Sequence, residues 1–517
     1  MKTRIIAMLL VLSMLVVSLA SCGGKNPDVT ENEGANTTVA QEDSKWKDVN
    51  FNGESIIISL STHEPPEVVT AGSTNSINFI KGPDAYTTDA VQNAVYDRNN
   101  KISRALGLNV EYQECDQYSN SADNTLVVIE NFVLADLEDS PDVISTMGYG
   151  MVRAGIKGML YNALLDNKEN YFDLTTDGWY TDFMYENTLD ESKIFVLAGD
   201  YFIDVLRYGY GVLVNLDMYD EVFASEGGSE TLFKLVESGD WTFDEVKRTV
   251  QMAYVDSGEI GKYDAEDTFG AVNGASWFVR TSFAVSGLDI FSTDEQGKLS
   301  YITDITDVHN FVDYFIDLTS TNGFYLNISG GPNKRYEPLD IFIEGRSLFS
   351  FDALILSMEG TLLQNMDDSV GLLPYPKYTP DLEYGALVSD NANVGGILYN
   401  SDKFTECSAY LQMSAEESNG GKGTLIYEYY DVTLKYKLSA TPEQVSMLEY
   451  IRNGLCSPKS FLYDNYFAKN AGMNTYSGVM YPSLATATNT FASDWQAQYS
   501  AIQSSLESTI ATYGQQN

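Results

Sequence analysis

The stretch Ser55-Ile56-Ile57-Ile58-Ser59-Leu60 decides the fold, together with the segment from there to residue 144. It is a short apolar run rich in β-branched residues, which predicts a buried strand. Apolar residues then recur at helical spacing between residues 91 and 106, until Gly107 ends the pattern. The next predicted elements are a strand at residues 110–112, a helix at 126–134 and a strand at 142–144. This alternation over about 90 residues predicts an α/β lobe with a largely parallel sheet.

The N-terminus has the pattern of an export signal. Lys2 and Arg4 precede an apolar run from residue 5 to residue 17 that only Ser13 interrupts. A basic flank followed by a short apolar core is typical of a secretory signal rather than of a membrane-spanning helix.

The signal ends in Leu19-Ala20-Ser21-Cys22, which resembles the lipobox of bacterial lipoproteins. The resemblance implies that residues 1–21 are removed and that a lipid on Cys22 anchors the protein to the outer face of the cell membrane. The alternative is an ordinary signal peptide cleaved near Ala20. Residues 22–47 are mostly rich in Gly, Asn, Thr, Asp and Glu, a composition that predicts a flexible tether.

The composition favours a large, acidic, globular protein. The chain has 31 Lys and Arg against 73 Asp and Glu, a net charge of −42, which disfavours binding to nucleic acid or anionic lipid. No later stretch reaches the ~18 consecutive apolar residues that a spanning helix requires. The length of 517 residues predicts two large lobes rather than one core.

Three cysteines remain once Cys22 is lipidated, and an odd number does not indicate a disulfide framework. Cys407 and Cys456 could pair outside the cell, or all three, including Cys115, could be free thiols.

Several local signals predict helix starts and a turn in the second half of the chain. Thr242 and Glu245 form a capping box, and Thr441-Pro442 predicts a second N-cap followed by proline at the first helical position. Residues 294–298 predict a turn between two strands, and residues 493–512 predict a helix.

The order of motifs resembles the extracellular solute-binding proteins of ABC importers, the broad class that includes maltose-binding protein. The motifs are VYDRNNKI (95–102), SPDVI (140–144), YGVLVN (210–215), WTFDE (241–245), FIEGRSLF (342–349) and GLLPYP (371–376). Their order and spacing carry the likeness, which runs from about residue 48 to the end. The Tyr-rich segment Ser414–Ala440 departs from it, so substrate identity is not carried over.

The resemblance implies an α/β, two-lobed periplasmic-binding-protein-like fold of type II, with discontinuous lobes joined by a hinge. Lobe 1 would comprise residues 48–206 and 386–436, and lobe 2 residues 207–385 and 437–517. It also implies a monomer that captures a solute, with a carbohydrate favoured, and delivers it to an ABC transporter permease. No cofactor and no metal ion are expected.

Position relative to these motifs selects the candidate ligand-binding residues. In such proteins aromatic faces stack on sugars, while carboxylates and amides bind the hydroxyl groups. The candidates are Tyr149, Arg207, Tyr208, Tyr210, Trp277, Phe351, Asp352, Asp390, Asn391 and Asn393. For each of them the alternative is an ordinary core or loop position.

Catalysis is not expected. The two histidines, His63 and His309, are far apart and lack a neighbouring nucleophile motif. Two other functions stay open. A surface-anchored glycoside hydrolase would need only two of the 73 acids, and an adhesin would need an exposed apolar patch.

Overall fold

The structure is a computed structural model that describes residues 45–63, 72–118, 122–135, 140–264, 266–295, 297–327, 337–438, 441–470 and 480–513. The predicted signal, Cys22 and the predicted tether up to residue 44 lie outside the described residues. The chain separates into two units, Met1–Val49 and Asn50–Asn517. The described part of the first unit, residues 45–49, contains a turn. The elements below belong to the second unit.

The second unit alternates strands and helices through most of its length. Its strands are β1 (Ser55–Ser61), β2 (Asn109–Cys115), β3 (Val143–Met147), β4 (Tyr210–Asn215), β5 (Phe269–Gly274), β6 (Phe291–Thr293), β7 (Leu299–Tyr301), β8 (Phe324–Asn327), β9 (Ser347–Leu354), β10 (Val370–Leu373), β11 (Ala386–Leu387), β12 (Asn393–Ile397) and β13 (Leu455–Cys456). Its α-helices are α1 (Ile77–Ile80), α2 (Ala90–Leu106), α3 (Ala122–Ala135), α4 (Gly148–Ile156), α5 (Thr181–Glu186), α6 (Asp204–Arg207), α7 (Leu216–Val222), α8 (Gly228–Ser238), α9 (Phe243–Ala253), α10 (Ala275–Ala284), α11 (Thr306–Thr319), α12 (Glu337–Ile343), α13 (Phe404–Ser418), α14 (Lys435–Leu438), α15 (Pro442–Asn453), α16 (Lys459–Asn470), α17 (Tyr481–Thr486) and α18 (Phe491–Ile510). Short 3₁₀ turns occur at Ala224–Glu226, Ile355–Met358 and Leu363–Asn365, and a π-helix at Tyr427–Leu434.

The first sheet has the strand order β2-β1-β3-β12. Strand β1 pairs in parallel with β2 and β3, whereas β12 pairs antiparallel with β3. Ile56, Ile58 and Leu60 of β1 are fully buried. The predicted run of β-branched residues is therefore the central apolar strand of this sheet.

The second sheet repeats this arrangement, with the order β8-β5-β9-β4-β10. Strand β5 pairs in parallel with β8 and β9, and β4 pairs antiparallel with both β9 and β10. Each sheet thus has a parallel core, and one antiparallel strand comes from a segment that crosses between the sheets. This strand order confirms the predicted α/β fold of the type II periplasmic-binding-protein class.

The strands of the described chain pass from one sheet to the other before β4 and again before β12, and these two crossings lie side by side. Gly209 and Val388 form an antiparallel bridge, and the amide of Ser389 donates to the carbonyl of Tyr208 at 3.0 Å. Strands β11 and β13 form a short parallel pair beside this bridge.

The local helix signals are confirmed. Asp89 caps α2, and Gly107 ends it in the left-handed conformation, at φ 62°. Thr242 and Thr441 accept hydrogen bonds from backbone amides as N-caps of α9 and α15. The capping box at α9 is only half formed, because the Glu245 carboxylate pairs with Arg248 instead.

Cys115, Cys407 and Cys456 are free thiols, so the pairing of Cys407 with Cys456 does not form. Burial raises the pKa of the Cys456 thiol to about 12. Among the described residues, no helix combines the length and the apolar character needed to cross a membrane.

Candidate functional site

The candidate site lies where two parallel strands end and helices begin. Helix α4 starts directly after β3, and α10 starts directly after β5. In open α/β sheets, ligands bind outside the carboxyl ends of the strands. Tyr149 is the second residue of α4 and Trp277 the third residue of α10. Both predicted ligand residues therefore stand at the edges where a ligand is expected.

Aromatic rings form one part of the site. The ring of Tyr210, on β4, lies 5.3 Å from that of Trp277 with an interplanar angle of 31°. Phe461, on α16, lies 6.4 Å from Trp277. Tyr210 is fully buried, whereas Trp277 keeps part of its surface exposed. Trp277 is thus supported by neighbouring rings and can present a ring to a ligand.

Two arginines accompany the aromatic rings. The guanidinium of Arg280 lies 5.0 Å over the ring of Trp277, and its Nη1 is 3.9 Å from Oδ2 of Asp390. The guanidinium of Arg153 lies 4.8 Å over the ring of Tyr149 and forms an ion pair with Asp123. These are cation–π contacts of ordinary length.

Both arginines and both carboxylates act on the pKa of Tyr149. Burial raises the pKa of the Tyr149 hydroxyl to about 12, while Arg153 and Arg280 lower it and Asp390 and Asp123 raise it. We call Tyr149, Trp277, Arg153, Arg280 and Asp390 the cleft cluster. With Asp123 included, two positive and two negative charges surround the tyrosine, although the whole chain carries a net charge of −42.

The second crossing positions Asp390. The amide of Tyr149 donates to the carbonyl of Asp390 at 3.3 Å, and the amide of Gly148 donates to the carbonyl of Ala392 at 2.9 Å. The first two backbone amides of α4 thus donate hydrogen bonds to the segment that follows the second crossing, which fixes the position of Asp390.

Four predicted residues come together at this place: Tyr149, Tyr210, Trp277 and Asp390. The sequence interpretation missed Arg153 and Arg280. Arg153 follows Tyr149 by four residues and Arg280 follows Trp277 by three, so helical spacing could have identified both.

Three other predicted residues lie in the interior. Arg207 and Tyr208 are fully buried beside the crossings. Phe351 is also fully buried, and its ring packs against Phe278 at 5.4 Å and Tyr375 at 5.6 Å. Phe351 is therefore part of the aromatic core under the second sheet. Strand alternation could not separate this position from a cleft position.

Of the remaining candidates, Asp352 lies on β9, and Asn391 and Asn393 follow the second crossing. Asn391 is partly exposed, and its amide donates to Ser389 Oγ at 3.3 Å. Asn393 is buried at the start of β12, where its amide donates to Asp204 Oδ2 at 3.2 Å. The side chain of Asp352 lies outside the described part of the structure.

The Tyr-rich segment forms the π-helix. Tyr429 and Tyr430 are buried, and the Tyr429 hydroxyl donates to Glu359 Oε1 at 2.5 Å. These two tyrosines serve packing beside the crossings. Across the described ranges, no group of three or more His, Cys, Asp or Glu side chains is arranged to hold a metal ion.

No protein-family model matches the chain, and no curated protein matches it significantly. Several solved structures resemble it. The ABC substrate-binding protein Lmo0181 from Listeria monocytogenes, in complex with cycloalternan, is 12% identical with a TM-score of 0.47, covering 89% of this chain and 99% of that one. Maltose-bound MalE3 of T. maritima is 15% identical with a TM-score of 0.45, covering 88% and 99%. The apo form of RafE from Streptococcus pneumoniae is 11% identical with a TM-score of 0.48, covering 89% and 98%. These likenesses are distant, and the fold assignment follows from the strand order of the two sheets.

Proposed function

We propose that this protein is an extracytoplasmic solute-binding receptor that captures a carbohydrate at the cleft cluster. One observation supports the proposal above all. A partly exposed tryptophan ring, a tyrosine and arginine–carboxylate pairs lie together at the carboxyl ends of β3 and β5. Aromatic rings bind the apolar faces of pyranoses, and the paired charged groups hydrogen-bond to hydroxyls.

The balanced charge of the cluster favours an uncharged sugar. Arg153 is paired with Asp123, and Arg280 stands near Asp390, so neither arginine is a lone cation waiting for an anionic ligand. A neutral polyhydroxyl ligand can accept from the guanidinium groups and donate to the carboxylates without leaving a buried charge unpaired.

The proposal includes a hinge at the two crossings. Lobe 1 comprises residues 48–206 and 386–436, and lobe 2 residues 207–385 and 437–517. Ligand binding shifts the equilibrium towards a closed form in which both lobes contact the sugar. The closed monomer then delivers its ligand to an ABC transporter permease, while a lipid on Cys22 keeps it at the membrane.

A thermal-shift screen of the purified protein tests this function. Cycloalternan, maltose, D-mannitol and ribitol enter the panel because solved structures with distant likeness contain them, and neutral peptides serve as controls. A ligand that binds only the folded state raises the melting temperature.

The expected result is a shift for one sugar class, with the sugar recovered unaltered. A shift for peptides alone would contradict a carbohydrate ligand. Recovery of cleaved sugar would contradict a receptor and favour a glycoside hydrolase.

A further inference from the structure

A large groove lies at the C-terminal end of α4, the helix whose first turn carries Tyr149. Helices α3 and α4 form one side of it, and the C-terminal helices α16 and α18 form the other. Its volume is about 810 Å³. Pockets that bind drug-sized ligands range from ~300 to ~1,000 Å³. We call it the C-terminal groove.

Tyr466 connects the groove to the cleft cluster. Its side chain lines the groove, and the guanidinium of Arg153 lies 5.7 Å from its ring. The same guanidinium lies 4.8 Å from the ring of Tyr149. Arg153 is buried, and within the described residues its Nε has no hydrogen-bond acceptor. A ligand that passes from Tyr149 to Tyr466 therefore meets two tyrosine rings, both of which pack on the buried guanidinium of Arg153.

One wall of the groove carries hydroxyl groups. Ser505, Ser508 and Thr512 lie on one face of α18 and its continuation. The hydroxyls of Ser508 and Thr512 donate to the carbonyls of Ser505 and Ser508, at 3.1 and 3.3 Å. Because each hydroxyl oxygen has two lone pairs, these groups can still accept hydrogen bonds from a ligand.

The opposite wall combines apolar side chains with the partly exposed ion pair of Lys157 and Glu130. Leu134 is 78% exposed, and Met159 also lines the groove. Apolar side chains on one wall, together with an ion pair and hydroxyl groups, match the apolar faces and the hydroxyl groups that a sugar presents.

We propose that the C-terminal groove is a second ligand subsite, which holds the distal units of an oligosaccharide whose terminal unit lies at the cleft cluster. This inference rests on the proposed function and specifies its substrate class. The receptor then selects linear oligosaccharides over monosaccharides, because only the longer chains reach past Tyr466.

Affinity as a function of chain length tests the proposal. The probes are α-1,4-glucose, β-1,4-glucose, β-1,4-xylose and β-1,4-mannose oligomers of one to six units, measured by calorimetry. In the series that binds, we expect the affinity to rise at least about tenfold between the monosaccharide and the tetrasaccharide, which is ~1.4 kcal/mol.

Two variants of the full chain separate the groove from the cluster. Ser508→Trp places a large ring in the groove and should remove the gain with length while leaving the affinity for the shortest binding sugar unchanged. Ser504→Trp is the matched control, since Ser504 is exposed on the same helix outside the groove. It should retain the gain.

The outcomes distinguish the two proposals. Sugar binding that does not depend on chain length, or a gain that survives in Ser508→Trp, would overturn the subsite while the receptor function stands. Absence of binding in all four series would contradict the carbohydrate receptor and the subsite together.

Discussion

Arg207 is fully buried at the first crossing, where it holds together segments that are distant in the chain. Its guanidinium donates to Glu359 at 2.8 and 2.9 Å and to Asp204 at 2.8 Å. The carbonyl of Thr74 accepts a further bond at 2.6 Å. Burial acts to lower the pKa of Arg207, but Glu359 and Asp204 outweigh it and hold the pKa well above its usual value. The residue predicted to bind ligand is therefore a structural cation.

Replacement of Arg207 by methionine should strongly destabilise the protein. The change leaves the buried carboxylates of Glu359 and Asp204 without their partner, and a broken buried ion pair costs about 3–5 kcal/mol. Urea denaturation measures the loss. Lys234→Met is the control, because the Lys234–Glu230 pair is exposed to solvent and such pairs contribute little to stability. Equal losses in the two variants would refute the structural role.

Replacement of Trp277 by alanine should weaken sugar binding about tenfold or more, ~1.4 kcal/mol, because the stacking face of the cleft cluster is lost. Trp277→Phe keeps a ring and should retain most of the affinity. Tyr436→Ala removes an aromatic side chain that is exposed elsewhere and is the control. Calorimetry with the sugar found in the screen gives the three values. An unchanged affinity in Trp277→Ala would remove Trp277 from the site.

At the scale of single elements, a side-chain cap begins a helix that packs next to the site. Thr242 Oγ1 accepts from the Glu245 amide at 3.4 Å at the start of α9. That helix packs on β5, the strand that leads to Trp277. Its cap is therefore linked to the site through the second sheet.

Removal of this cap should cost about 1 kcal/mol of folding free energy, within the 0.5–2 kcal/mol range of N-cap deletions. Thr242→Ala removes the acceptor, whereas Thr242→Ser keeps it. Chemical denaturation of both variants should show the loss only in Thr242→Ala. A similar loss in Thr242→Ser would assign the effect to the lost methyl group.

The molecule as a whole should be more stable in mild acid than at neutral pH. Burial raises the pKa of Glu186, Asp200 and Asp289 above the usual range of carboxyl groups. Such a group binds its proton more tightly in the folded state. Such a group contributes fully to stability at a pH below its pKa in the unfolded chain, which is about 4. The contribution is lost as the pH rises through its higher pKa in the folded protein. Protonation also relieves the repulsion within a chain of net charge −42.

Carboxyl groups with a lowered pKa limit this gain in stability at still lower pH. Hydrogen bonds from Thr306 lower the pKa of Asp304, so the stability that it contributes is lost only as the pH falls below the usual carboxyl range. We therefore expect the melting temperature to rise by a few degrees from pH 7.5 to pH 5 and to fall again below about pH 4. Calorimetry over this range checks the sign. Glu186→Gln should flatten the slope, and a melting temperature that falls from pH 7.5 to pH 5 would contradict the assignment.

By itself, the amino-acid sequence predicted the first strands and helices, several later helix starts and, through the family resemblance, the fold class. The apolar run at residues 55–60, the helical spacing up to Gly107 and the N-caps at Thr242 and Thr441 are local signals, because strand burial, helix periodicity and capping involve residues close in the chain. Together with the order of motifs they predicted the two-lobed α/β fold. The predicted strand at residues 142–144 also placed Tyr149 just after a strand, whereas the family resemblance selected Trp277.

Only the tertiary structure decided which candidates share one site. It brought Tyr149, Trp277 and Asp390 together with arginines that the sequence interpretation had missed, and it buried Phe351 in the core. It also placed Tyr466, more than 300 residues from Tyr149, between the cluster and a groove. The physical reason is that contacts between distant segments depend on sheet register and on helix packing against neighbours, which no local periodicity encodes.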